Sequence, residues 1–211
     1  MRVSGAIDAA DGLALFVVEA DAPGLELRGY RNHDGQHAAD VTLRHVAVPD
    51  AQRLGTAGAA GPAIEHALDR GAALVCAEAL GILRAMNDTT LEYLKTRKQF
   101  GVAIGSFQAL QHRMADMVVA TEQANSMALL AAVKADSRNA VERAHAVSAA
   151  KAYVGQQARF VGQQAIQLHG GMGITDEMMV SHLFKRLTLI ESSFGDTDHH
   201  FERVSAALLT A

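Results

Sequence analysis

The prolines of this chain all fall near its start. Pro23, Pro49 and Pro62 are the only three, and none follows from Ala63 to Ala211. Proline inside a helix removes a backbone donor and clashes with the preceding turn, so a long stretch without one favours long helices. Pro62 suits a first helical position. Beyond it Ile64, Leu68, Val75, Ala79, Ile82, Met86 and Tyr93 recur at helical spacing, which predicts a helix to about Arg97. Phe100-Gly101 breaks that helix, and Ser106 is a candidate cap for a second one from about Phe107 to Ala135. A third is expected over about Val141 to Leu168, ended by Gly170-Gly171. Two shorter helices follow, from about Glu177 to Ile190 and from about Asp198 to Leu209. Helices of these lengths predict an antiparallel bundle that assembles with copies of itself.

The segment before Pro62 reads differently. Leu13 to Val18, Leu25 to Tyr30 and Asp40 to Val48 are short runs rich in β-branched and apolar residues, separated by turn-forming Asp21-Ala22-Pro23-Gly24 and Asn32-His33-Asp34-Gly35. Three such strands leave a face or an edge of their sheet uncovered, so the remaining strands are expected to lie elsewhere. The fold class is therefore mainly α: a partial β-domain of about three strands over residues 1–55, then an antiparallel helical bundle over 56–211.

Composition narrows the function. Of 211 residues 49% are apolar, too many for a disordered chain. The longest apolar run, Met127 to Val133, falls far short of the roughly 20 residues a spanning helix needs. The N-terminus lacks the pattern of a signal peptide, so a cytoplasmic, membrane-free protein is expected. A single cysteine, Cys76, excludes an intramolecular disulfide. The net charge of −4 argues against a nucleic-acid partner. The chain has no phosphate-binding loop of the Walker type, no His-Glu-x-x-His and no Gly-x-Ser-x-Gly. His199-His200 is the only adjacent histidine pair, and adjacent helical residues diverge by about 100°, so no metal site is expected.

Three segments carry candidate chemistry. Lys95-Thr96-Arg97-Lys98-Gln99-Phe100-Gly101 is a basic helix end running into a glycine turn. It serves either to compensate the helix dipole or to supply charge for a phosphate. Gln167-Leu168-His169-Gly170-Gly171-Met172-Gly173 is either a C-cap and turn or a place where a ligand approaches bare backbone. Ser193-Phe194-Gly195-Asp196-Thr197-Asp198-His199-His200 opens the last helix, where Asp196 or Asp198 suits an N-cap.

In this order the segments resemble the acyl-CoA dehydrogenase family. The match runs through Arg97-Lys98-Gln99-Phe100-Gly101, Ile104-Gly105-Ser106-Phe107-Gln108, Met114-Ala115-Asp116-Met117 and the Gln167 to Gly173 loop, while Ala22-Pro23-Gly24 and Val48-Pro49 resemble the second half of the family's β-domain. Lys95 to Gln108 and Phe194 to His200 look most like the small subunits of two-subunit members such as pimeloyl-CoA dehydrogenase. The resemblance implies a flavoprotein that desaturates an acyl-CoA thioester, with FAD bound across a subunit interface in a homo-oligomer or in a hetero-oligomer with a second subunit of the family. It also implies that Arg97, Phe100, Gln108, Gln167, Gly170 and Gly171 contact the pyrophosphate and adenosine side of FAD.

The same resemblance exposes two departures. The family's N-terminal helical domain and the first half of its β-domain have no counterpart here, so this chain alone is expected to be inactive and to hold FAD poorly. Both family positions for the catalytic glutamate lack a carboxylate: the late-loop position falls on Phe194 or Gly195, and the first-helix position on Gly71. Asp69 lies two residues from the latter, on another side of its helix. Asp196 is the remaining candidate base, and a base supplied by a partner subunit accounts better for the pattern. The alternative is a flavin-free helical assembly module that keeps the family's interface.

Overall fold

The computed structural model describes residues 1–7, 9 and 11–209. The chain divides into two compact units, Met1–Leu68 and Asp69–Ala211.

The first unit carries the early strands. β1 (Leu15–Phe16) pairs antiparallel with β4 (Arg53–Leu54), and β2 (Leu25–Arg31) pairs antiparallel with β3 (His37–Leu43), from Leu25↔Leu43 to Arg31↔His37. The expected run from Leu13 to Val18 pairs over only two residues because Leu13 bridges instead to Arg2 and Ala59. The expected third strand, Asp40 to Val48, begins earlier and ends at Leu43: the Arg44 N–H donates to Gly24 O, and His45 turns into the left-handed region. Among the described residues these strands form separate two-stranded ladders. One hairpin face carries Leu27, Val41 and Leu43, each more than half exposed.

Five α-helices follow among the described residues. α1 (Gly61–Thr96) begins in the first unit; α2 (Gln108–Lys134), α3 (Ala140–His169), α4 (Met179–Ser192) and α5 (Thr197–Leu209) belong to the second. Their periodicity explains the packing. Cys76, Ala79, Leu83 and Met86 of α1 meet Met117, Ala120, Ala124 and Ala128 of α2, with Val154, Ala158 and Val161 of α3 and Leu187 and Ile190 of α4. Burying a leucine or methionine such as Leu83 or Met86 contributes about 1.5–3 kcal/mol, and the alanines let the helices approach closely.

Helix starts are set individually. Asn139 caps α3, its Oδ1 accepting from the N–H groups of Val141 and Glu142 at 3.1 and 3.2 Å. Ser106 does not cap α2 as expected. Its hydroxyl donates to Ala103 O at 2.7 Å, closing a 3₁₀ turn over Ile104–Ser106, and Phe107 precedes the helix without a side-chain cap. The break after α1 is a hairpin: β5 (Lys98–Gln99) pairs with β6 (Val102–Ala103). Phe100 and Gly101 both take positive φ, 55° and 83°, the combination a two-residue type I′ turn demands.

A charged cluster ties α1, α3 and α5 together. Asp69 is buried; its Oδ2 accepts from Arg143 Nε at 2.9 Å and its Oδ1 from Arg203 at 2.6 Å. Arg203 also reaches Ser148 Oγ, and Arg143 donates to Ser137 O in the turn before α3.

Candidate functional site

The C-terminal ends of α1 and α3 frame an open groove of about 450 Å³, lined by Tyr93, Arg97, Gln99, Ile104, Leu110 and the run from Gln167 to Met172. Arg97 follows the last turn of α1, its N–H donating to Tyr93 O and its carbonyl accepting from Ile104 N at 2.9 Å. This anchors the backbone and leaves the guanidinium exposed, with no side-chain partner among the described residues. Gln167 is also exposed, and its carbonyl accepts the N–H of Gly170.

The two glycines differ in an informative way. Gly170 has φ 59° and ψ −142°, a conformation essentially confined to glycine, so the turn itself requires it. Gly171 has no such φ, and a Cβ built on it would meet nothing within 4 Å. Nothing within the described chain demands glycine at 171, and its backbone lies bare at the groove. Beneath the groove, His169 is buried and stacked on Tyr93 with ring centroids 4.4 Å apart. Its Nδ1 bonds Ala165 O at 2.8 Å, and burial holds its pKa below the ordinary histidine range.

The structure thus gathers Arg97, Gln167, Gly170 and Gly171 around one groove. Phe100 and Gln108 lie outside its lining. Phe100 sits at the hairpin apex, 90% exposed and edge-on to Phe107, and Gln108 is the exposed first residue of α2.

The two positions without a carboxylate meet each other. Any Cβ at Gly71 would overlap the ring of Phe194, and Phe194 itself takes a left-handed φ of 58°. Asp69 is consumed by Arg143 and Arg203, as described above. Asp196 is exposed and acts as the N-cap of α5, its Oδ1 accepting the His199 N–H at 2.8 Å. It borders a separate groove of about 410 Å³ together with Gln156, Arg159 and Glu191.

Sequence reasoning missed Lys151 and weighed His200 only as half of a histidine pair; both are almost completely buried behind this loop. Lys151 Nζ donates to Glu191 O at 2.8 Å and Gly195 O at 2.9 Å. A signal existed: Val147, Lys151, Val154 and Ala158 occupy one helical stripe, and a lysine among buried apolar residues needs a partner. Cys76, near Lys151, has its thiol pushed up to about 12 by burial, which keeps it protonated. Among the described residues no cluster of His, Cys, Asp or Glu could hold a metal ion, and no helix is long and apolar enough to cross a membrane.

Comparison with known proteins places this arrangement. Residues 61–209 match the family model described as the C-terminal domain of acyl-CoA dehydrogenase. The chain belongs to the acyl-CoA dehydrogenase family. It is 34% identical over 192 residues to a probable acyl-CoA dehydrogenase, YngJ, of Bacillus subtilis, covering 88% of this chain and 49% of that protein. It is 30% identical to a caffeyl-CoA reductase–Etf complex subunit, CarC, of Acetobacterium woodii, covering 82% and 46%. The structure of butyryl-CoA dehydrogenase from Megasphaera elsdenii superposes with a TM-score of 0.87 at 25% identity, over 98% of this chain and 54% of that one. The chain spans about half the length of the relatives it matches.

Proposed function

We propose that this chain is the C-terminal portion of an FAD-dependent acyl-CoA dehydrogenase subunit, contributing one half of a shared flavin site and no catalytic base. Its counterpart would be a second subunit of the same family, as in two-subunit members, and the substrate an acyl-CoA thioester. The observation that carries the reading is the pairing of an open, cation-bearing groove with a base position filled by Phe194 on Gly71.

The groove fits the pyrophosphate and adenosine side of FAD. Arg97 offers a planar guanidinium for phosphate oxygens, Gln167 a neutral amide, and Gly170-Gly171 a backbone that a ligand can approach without meeting a side chain. Phe100, at the apex of the β5–β6 hairpin, would reach the cofactor from beside the groove, and Gln108 from the start of α2. FAD, when bound, supplies the hydride acceptor for α,β-desaturation. The chain's own residues bind and orient; none of Gly71, Phe194 and Gly195 can take the α-proton. Asp196 is engaged in capping α5, so a carboxylate of the partner subunit is the better source of the base.

Two measurements test this reading. The chain alone, mixed with FAD and passed through gel filtration, should lose its flavin absorbance; stoichiometric retention would contradict a half-site. Joined to the N-terminal half that its relatives carry and mixed with a partner subunit, it should retain flavin. There Asp196→Asn should leave the rate of flavin reduction by acyl-CoA within a few-fold of the parent at equal FAD content, and a collapse of that rate would make Asp196 the base. A complete assembly that never binds flavin would instead favour a purely structural module.

A further inference from the structure

The turn between α4 and α5 is held by more bonds than a surface connection needs. Ser193 donates through both N–H and Oγ to Leu189 O, at 3.0 and 2.7 Å. Thr197 donates through N–H and Oγ1 to Glu191 Oε1. The buried Lys151 ammonium clasps the carbonyls of Glu191 and Gly195, one on each side of Phe194. The Phe194 carbonyl is bonded to His200 Nε2 at 3.1 Å. Phe194 nevertheless keeps a left-handed backbone, a strained conformation for a non-glycine residue that persists only where its surroundings over-determine it.

His200 is the member of this set that is held neutral in the closed loop and gains charge on acidification. Because Nε2 faces a carbonyl oxygen, it must carry the proton, which leaves Nδ1 as a bare lone pair. Nδ1 is buried and has no partner among the described residues. The charged groups facing the ring are all cationic or neutral: Lys151 from α3, and His199 and Arg203 from α5. The nearby carboxylates are engaged elsewhere: Asp69 with Arg143 and Arg203, Glu191 with Thr197, and Asp196 with the His199 N–H. Cys76 of α1, beside Lys151, stays a neutral thiol.

We propose that residues 192–196 form an acid-released latch: neutral His200 holds the strained Phe194 with its ring on Gly71, and protonation at Nδ1 frees the loop. A proton placed there would be a buried N–H without an acceptor, beside two cations, and opening the loop is the route by which it reaches water. The latch stands on the loop's own bonds and does not depend on flavin. Its consequence for catalysis rests on the reading above, because the ring occupies the place where the family's base belongs and release would uncover it.

Hydrogen exchange of the loop amides in the full chain tests this without any ligand. Burial, then the Lys151 charge, depress the His200 pKa to about 4 from the ordinary 6.5. Linkage then makes loop opening roughly 20-fold more favourable at pH 5 than at pH 7. Protection factors of residues 193–197, corrected for intrinsic rates, should fall by that factor while remaining below those of α2 core amides. His200→Gln keeps an amide able to donate to Phe194 O but cannot titrate, and should abolish the fall. In the wild-type chain the His200 resonance should titrate with the same midpoint as the loop resonances. An equal fall in His200→Gln, differing midpoints, no fall at all, or loop protection equal to that of the core would each overturn the latch.

Discussion

At the C-terminal end of α1, Arg97 projects beside the bare backbone of Gly170 and Gly171 into an open groove. Some seven turns earlier on the same helix, Asp69 and Gly71 are fully engaged, by two arginines and by an aromatic ring. One end spends nothing of its chemistry on the fold, and the other spends all of it. Groups left unused by the fold are available to a ligand; groups consumed by it are available only to stability. Substitutions at the two ends should therefore separate binding from stability.

The largest effect is expected at Asp69. Removing one partner of a buried ion pair leaves uncompensated charge and typically costs about 3–5 kcal/mol. Asp69→Ala strands Arg143, whose side chain is nearly as buried as the aspartate, and the partly exposed Arg203. Urea unfolding should show the midpoint falling steeply. A loss under 1 kcal/mol would mean that water replaces the carboxylate, and the contrast between the two ends would fail.

Gly71 sharpens the contrast through a change of sign. Alanine in a helix interior is favoured over glycine by roughly 1 kcal/mol. With Phe194 present, Gly71→Ala must push aside a half-exposed ring and should be net destabilising, by about 1 kcal/mol. In a Phe194→Ala background the same substitution should stabilise, because only the helix preference remains. A double-mutant cycle reads the coupling directly, and the same sign in both backgrounds would deny the ring-on-glycine contact.

The same division explains what could be read from the sequence. The helices were legible because absent prolines and apolar periodicity are properties of the chain alone, and the observed α1, α3 and α5 ends fall close to those expected. Arg97, Gln167, Gly170 and Gly171 came from the family resemblance and not from composition, and the structure sets those four around one groove while Phe100 and Gln108 lie outside it. The engaged end was not legible. Whether Asp69 is a free carboxylate or a buried anchor depends on Arg143 and Arg203, which lie far away in sequence. The apolar stripe around Lys151 says that it needs a partner, but not that the partners are the carbonyls of Glu191 at the end of α4 and Gly195 in the turn beyond. Ser106 failed as a cap because it closes the Ile104–Ser106 turn, which leaves Phe107 at the cap position of α2. The short strands show tertiary override too, since a run with strand character pairs only where a partner lies alongside.

The smallest stability effect is expected at Gly171, and it is the most telling. A Cβ there meets open space and the backbone needs no glycine, so Gly171→Ala should change unfolding free energy by no more than about 0.5 kcal/mol. Gly170→Ala serves as the internal contrast, because φ 59° and ψ −142° strain any other residue and should cost about 1–3 kcal/mol. If the groove takes the adenosine pyrophosphate of FAD, Gly171→Ala in the complete assembly should weaken flavin retention while the melting curve of the chain alone stays unchanged. The methyl group would stand between the backbone and the ligand, and Arg97→Ala should act in the same direction by removing the charge. Flavin titration of the assembled enzyme, set beside thermal melts of the isolated chain, reads both quantities. A Gly171→Ala protein that binds flavin as the parent does would mean that the bare backbone at 171 serves no ligand, and the open end of α1 would lose its assigned purpose.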